Sequence, residues 1–200
     1  MRIGVLGGTF DPIHIGHLIV AESALEEADL DEVWFMPALH PPHKTAEDVT
    51  DAAHRMAMVQ AAIAGHPRFR ACGLEIELGG TSYTVDTASE LVRRHPRDRF
   101  FWILGGDMVA WLPNFHRADD LAAMIGFIGV RRPGHEDAAD RLPPRLRRAV
   151  TMIEAPLVDV SSTDIRRRIR EGKSVRYLLP DAVISLIGEK GLYGPKPTDG

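Results

Sequence analysis

The chain has almost no thiol chemistry: among its 200 residues the only cysteine is Cys72. That excludes an intrachain disulfide framework and suits a reducing cytoplasm. Long apolar runs are also missing. No stretch approaches the ~18 consecutive apolar residues that span a bilayer, and the first residues enter a short apolar segment without the h-region of a signal peptide. A cytoplasmic chain with no membrane partner is the expectation. Charge of one sign is scarce as well. The net charge is −4 with neutral histidines, so bulk electrostatics gives no reason to expect a nucleic acid partner, although a local basic patch stays open. Internal repeats and low-complexity tracts are absent. The length suits one α/β domain with a core and is too short for two. One domain over residues 1–194 is expected, followed by a disordered tail at 195–200.

What is present is organised around Gly7-Gly8-Thr9-Phe10-Asp11-Pro12-Ile13-His14-Ile15-Gly16-His17. An apolar run, Ile3 to Leu6, precedes it and reads as a buried strand. Leu18, Ala21, Leu25 and Ala28 follow at helical spacing, with Glu22, Glu26 and Glu27 off that face. A strand, a glycine-rich turn and a helix together aim backbone N–H groups and a helix N-terminus at a phosphate. A lone histidine is more often structural. Two at i, i+3 share one face at the helix start, and each imidazole offers an N–H donor to phosphate oxygens. The pair could instead hold a metal ion, although no third ligand is evident nearby. The segment therefore reads as a nucleoside triphosphate site.

Further along, Val33 to Met36 is a second strand and completes a βαβ unit, which implies a parallel sheet. Residues 37 to 50 read as a proline-bearing loop, and 51 to 64 as a helix with Met56, Val59 and Ile63 inward. The alternation Leu74, Ile76, Leu78 against Glu75, Glu77 predicts one half-exposed strand over 69–78. Thr84 to His95 is a helix with Val85, Ala88, Leu91 and Val92 inward. Phe100 to Leu104 is the strongest strand, and Gly105-Gly106-Asp107 follows it. A helix around Leu121, strands at 126–130 and 150–153, and helices at 161–171 and 181–189 complete the pattern. Alternating strands and helices predict an α/β, Rossmann-like, doubly wound parallel sheet with a small helical C-terminal part.

The His14-Ile15-Gly16-His17 sequence after Gly7 to Pro12 resembles the signature of the HxGH nucleotidyltransferase superfamily. Val160-Ser161-Ser162-Thr163-Asp164-Ile165-Arg166 is similar to its second motif, near the other end of the chain. Pro41-Pro42-His43-Lys44, Ser82-Tyr83-Thr84 with Thr87, Gly105-Gly106-Asp107-Met108, Arg132-Pro133-Gly134 and Gly191-Leu192-Tyr193 resemble bacterial nicotinate-mononucleotide adenylyltransferases. The resemblance implies adenylyl transfer from ATP, with Mg²⁺, to nicotinate mononucleotide, giving deamido-NAD and pyrophosphate. The acceptor phosphate is already ionised, so neither a strong base nor a protein nucleophile is needed. Positioning and charge stabilisation suffice, which accounts for the absence of a Ser–His–Asp or Cys–His set.

The resemblance also implies roles for residues. Gly7, Gly8, Thr9 and Phe10 let the backbone approach the phosphates. His14 and His17 contact the α- and β-phosphates. Ser161, Ser162, Thr163 and Arg166 hold the triphosphate, while Ser161-x-x-Asp164 alone reads equally as a helix cap. Arg167, Arg168 and Arg170 read as solvated helix charges. Lys44 reaches phosphate or is simply an exposed lysine. Gly105 and Asp107 lie where α/β sheets bind ligands. There Asp107 suits ribose hydroxyls or a Mg²⁺-bound water, or caps the next helix. No metal is expected to be held tightly by the protein itself. Tyr83, Thr84, Phe115, His116 and Arg132 are expected to form the acceptor site with Lys44. Phe115 stands where the family usually has tryptophan, and is expected to stack on the pyridine. Trp111 falls on a variable position and reads as packing. Sibling enzymes acting on phosphopantetheine, FMN or nicotinamide mononucleotide are the alternatives of the same class. A catalytically silent nucleotide-binding or RNA-binding relative is the alternative of another class. An aminoacyl-tRNA synthetase is excluded by length. Oligomeric state is not readable, and a homo-oligomer stays open.

Overall fold

A computed structural model describes residues 1–39, 49–80, 83–131, 138–156 and 158–194. Strand β1 (Arg2–Gly8), helix α1 (Ile15–Glu27) and strand β2 (Glu32–Pro37) form the expected βαβ unit. Helix α2 (Ala52–Ile63), strand β3 (Phe69–Ala71) and helices α3 (Leu74–Leu78) and α4 (Thr84–Arg94) follow. Next come strand β4 (Arg99–Gly105), helices α5 (Gly106–Trp111) and α6 (Ala118–Met124), and strand β5 (Gly126–Arg131). Helix α7 (Pro144–Arg147), strand β6 (Val150–Glu154) and helices α8 (Ser162–Arg170) and α9 (Asp181–Lys190) end the order.

All six strands are parallel, in the order β3-β2-β1-β4-β5-β6. Chain order reverses between β1 and β4, which opens a crevice at their carboxyl ends. Side chains alternate between the two faces of the sheet. Ile3, Val5, Trp102 and Leu104 join one apolar cluster with Val85, Leu91, Leu121 and Phe127. Leu6, Ile103 and Ile128 join the other with Ala21, Leu25, Met58, Val59, Ile165, Val183 and Ile187. Each fully buried side chain of this kind contributes about 1.5–3 kcal/mol. The C-terminal helices α8 and α9 are thus built into the same core as α1 and α2. Gly4 makes the corner after α1 close tightly, because a Cβ there would lie 2.6 Å from Leu30 Cδ1 and 2.9 Å from Ile103 Cδ1.

The single strand expected over 69–78 is corrected to two elements. β3 ends at Ala71, and Leu74–Leu78 is a helical turn. Only Leu74 of its alternating apolar residues is buried, while Leu78 is exposed. Leucine and glutamate favour helix, and Gly79 follows at φ +69°, so local preference outweighs a weak two-residue period. Helix α5, immediately after Gly105, is absent from the sequence reading. The tail at 195–200 and most of the expected 37–50 loop lie outside the described residues.

Candidate active site

β1 delivers the glycine-rich turn to the crevice. A Cβ on Gly8 would lie 3.1 Å from the Phe10 ring, which is folded back over it. Phe10 is buried and adopts φ +49°, an uncommon conformation for an aromatic residue. His14 is the N-cap residue of α1. Its ring stacks on His17 with centroids 3.7 Å apart and planes 25° apart, and the Phe10 edge meets His17 at 5.0 Å. Gly16 makes room for this: a Cβ there would lie 3.1 Å from His14 Nδ1. The motif is therefore a packing arrangement as well as a set of donors.

The His14 backbone N–H donates to His17 Nδ1 at 3.2 Å. An accepting Nδ1 puts the proton of a neutral His17 on Nε2. Burial lowers the His14 pKa to about 4. Burial and the neighbouring His14 lower that of His17 to about 3. Both rings are neutral donors near pH 7. His14 Nδ1 is buried without a partner among the described residues. Stacked rings do not converge on one ion, and no group of three His, Cys, Asp or Glu side chains among the described residues is arranged to hold a metal.

The crevice is a cleft of about 680 Å³, within the ~300–1,000 Å³ of small-molecule sites. Leu6, His14, Gly16 and His17 line one wall, and Gly105, Gly106, Asp107 and Ala110 another. Arg131, Arg141, Met152, Ala155, Pro156, Val158 and Val160 contribute to the rest. Gly105 is the N-cap of α5 and Asp107 lies inside its first turn, so Asp107 is not the cap. It is the one carboxylate among the described residues of the lining.

Helix α8 is strapped to the phosphate turn. Ser161 caps it by accepting the Asp164 N–H at 3.1 Å. The Asp164 carboxylate pairs with Arg167, so the reciprocal half of a capping box is not made. Ser162 Oγ donates to the Pro12 carbonyl at 2.9 Å. Arg166 donates to the Asp11 carbonyl at 2.6 Å and to Thr163 Oγ1 at 3.4 Å. Residues 161–166 therefore come to the turn, although the cleft lining itself reaches only Val160. Arg167 and Arg170 are exposed as expected, whereas Arg168 donates to the Ser174 carbonyl.

Of the expected acceptor residues, Tyr83, Thr84 and His116 come together at the start of α4, and none of the three lines the cleft. The Tyr83 and His116 rings lie 4.4 Å apart, and Thr84 is the first residue of α4. Below them Thr87 Oγ1 lies 3.4 Å from both Glu75 Oε1 and the Tyr83 carbonyl, and burial raises the Glu75 pKa to about 7. Phe115 packs, partly buried, against the cluster that holds Val85, Leu121 and Phe127. Trp111, expected to be packing, is 57 % exposed. Lys44 and Arg132, with Pro41, Pro42, His43, Ser82, Pro133 and Gly134, lie outside the described residues.

Sequence reasoning missed the polar cluster behind the turn. Asp11 is 1 % exposed. Its Oδ1 accepts from Tyr193 OH at 2.5 Å and its Oδ2 from the Thr50 N–H at 3.3 Å. Arg55, also 1 % exposed, donates to the carbonyls of Thr50, Thr9 and Leu39 at 2.8, 2.8 and 3.2 Å. Burial lowers its pKa while Asp11 opposes that shift. One signal was available: Arg55, Val59 and Ile63 share one stripe of α2, so an arginine stood at a core position.

Comparison with known proteins bears on the family and the fold. A family model described as cytidylyltransferase-like matches residues 5–168, from β1 into α8. The chain is 45% identical over 192 residues to the nicotinate-nucleotide adenylyltransferase of Bacillus subtilis, covering 96% of this chain and 98% of that one. The chain belongs to the nicotinate-nucleotide adenylyltransferase family. A probable nicotinate-nucleotide adenylyltransferase of Geobacillus kaustophilus is 46% identical, over 98% of this chain and 87% of the relative. The fold is also similar to that of Plasmodium falciparum nicotinic acid mononucleotide adenylyltransferase complexed with NaAD. That structure has a TM-score of 0.78 at 20% identity and covers 96% of this chain and 97% of that one. Among the described residues no helix is long and apolar enough to cross a membrane.

Proposed function

We propose that the chain transfers the adenylyl group of ATP to nicotinate mononucleotide, forming deamido-NAD and releasing pyrophosphate. The observation that carries this reading is the stacked, neutral His14–His17 pair at the start of α1, facing a cleft at the sheet's switch point. An oxygen of the acceptor 5′-phosphate attacks the α-phosphorus in line. A new P–O bond forms, the bond to the bridging oxygen of pyrophosphate breaks, and no bond to the protein is made. Negative charge grows on the phosphoryl oxygens and the leaving group. The His17 Nε2–H and the positive end of α1 answer that charge without taking a proton. His14, whose buried ring lines the same wall, is the second donor.

Arg166 supplies cationic N–H groups beyond those spent on Asp11 and Thr163, and α8 brings its N-terminus beside the turn. Gly105 and Asp107 serve the nucleoside, and Tyr83, Thr84, His116 and Phe115 serve the pyridine. Lys44 and Arg132 are assigned to the acceptor phosphate by the sequence motif alone. Mg²⁺ fits as a companion of ATP: one cleft carboxylate, Asp107, matches an ion held mainly by phosphates and water. When bound it neutralises the leaving pyrophosphate. A single nucleotidyltransferase unit over 1–194 is sufficient for all these roles.

The test is pyrophosphate release from ATP·Mg²⁺ with nicotinate mononucleotide, nicotinamide mononucleotide, FMN and phosphopantetheine side by side. Release with nicotinate mononucleotide at the highest kcat/KM is expected. Faster release with another acceptor would replace the substrate assignment, and release with none would end the enzymatic reading.

A further inference from the structure

The buried carboxylate of Asp11 serves two directions at once. Toward the core it accepts from Tyr193 OH and the Thr50 N–H. Toward helix α8 its Oδ2 lies 3.9 Å from Arg166, and its own carbonyl accepts a hydrogen bond from the same guanidinium. Arg55 braces the turn two residues before Asp11, through the Thr9 carbonyl, and holds the Thr50 and Leu39 carbonyls as well. A buried carboxylate needs such partners, since an unpaired charge in the interior is costly.

We propose that Tyr193 and Asp11 are positioning residues that aim Arg166 at the triphosphate. Tyr193 OH fixes the rotamer of Asp11, and Asp11 holds the guanidinium by charge and through its carbonyl. The remaining N–H groups of Arg166 are thereby oriented toward the phosphate turn. Burial and the adjacent Asp11 push the Tyr193 hydroxyl well above its ordinary pKa, so it remains a donor at every working pH. Arg55 holds the turn from behind, so the aim of Arg166 is set relative to Thr9 and to the helix that begins at His14. Tyr193, Asp11 and Arg55 thus act through Arg166 and the turn.

The inference rests on the adenylyl-transfer reading, which wild-type pyrophosphate release tests separately. A double-mutant cycle in kcat tests the inference itself. Tyr193→Phe deletes one hydroxyl and is expected to lower kcat about tenfold, within what a misplaced catalytic group costs. In an Arg166→Lys background the same change should cost threefold or less, because the group being aimed is already lost. A cost above threefold there, or an unchanged kcat with only a lower Tm in the wild-type background, overturns the proposal. Should Tyr193→Phe not fold, Asp11→Asn enters the same cycle and is read by the same two outcomes.

Discussion

Two helix starts meet at the phosphate turn, and they are built in opposite ways. Helix α1 begins at a histidine, has no acidic residue in its first turn, and receives no side-chain oxygen at its cap. Its first N–H is taken by a backbone group, the Leu178 carbonyl, at 3.1 Å. Helix α8 begins at a serine that caps it, carries Asp164 in its first turn, and is rich in exposed arginine. An anionic first turn answers the positive end of a helix, whereas a neutral one leaves that field for a ligand. The difference assigns the two ends separate work. In the proposed reaction α1 presents field and neutral donors to the nucleotide. α8 is a strut whose serine hydroxyls bond its own cap and the Pro12 carbonyl, and in the proposed reaction it contributes mainly through Arg166.

If the division holds, the largest effect comes from α1. His17→Ala is expected to lower kcat by a factor on the order of 10²–10³ while circular dichroism stays native, as for a lost transition-state donor. Near-normal turnover by the purified variant would move the phosphate contact away from α1. The next effect is on stability and pH. The pKa values of His14 and His17 are depressed to about 4 and about 3. Unfolded histidines take up protons below ~6.5, so the unfolded state binds more protons from there down to the folded values. Stability is therefore full above pH 6.5 and falls as the pH drops toward 4. Urea midpoints should decline from pH 7 to pH 5, and less steeply in a variant with both histidines replaced by Asn. Imidazole ¹⁵N shifts that show either ring charged at pH 6 would contradict the neutral-donor picture. The smallest effect belongs to α8. Ser161→Ala should cost about 1 kcal/mol of stability through the lost cap, with kcat within about threefold of wild type. A hundredfold loss of kcat at unchanged Tm would instead make Ser161 a phosphate ligand and erase the contrast.

What could be read from the chain follows the range of each interaction. The strand, turn and start of α1 were legible because glycine, histidine and apolar period act within about ten residues of one another. The strands of the sheet were legible from their apolar runs, and the parallel order from the βαβ spacing. The segment after β3 was misread because Leu-Glu-Ile-Glu-Leu fits a two-residue period and a single helical turn equally well. Helix α5 was missed because six residues between Gly-Gly and Leu-Pro carry too little pattern. At the site, His14 and His17 were legible individually, but their stacking and the role of Gly16 needed coordinates. Asp11, Arg55 and Tyr193 had no local signature that paired them, since the partners of Asp11 lie 39 and 182 residues away. That Ser161 and Ser162 are hydrogen-bonded within the protein was likewise a matter of tertiary contact.

The hydrogen bond from Tyr193 to Asp11 also has a consequence for biosynthesis. A ribosome completes β1, the glycine-rich turn and both histidines first, and Tyr193 comes from the far end of the message. A nascent chain can form the sheet between β1 and β4 while the carboxylate behind its phosphate turn still lacks the phenol that sets it. Asp11 acquires its full set of partners only once residue 193 has cleared the exit tunnel. Premature termination a few codons earlier therefore yields a polypeptide with both histidines and residues 160–166 in place and an unset Asp11.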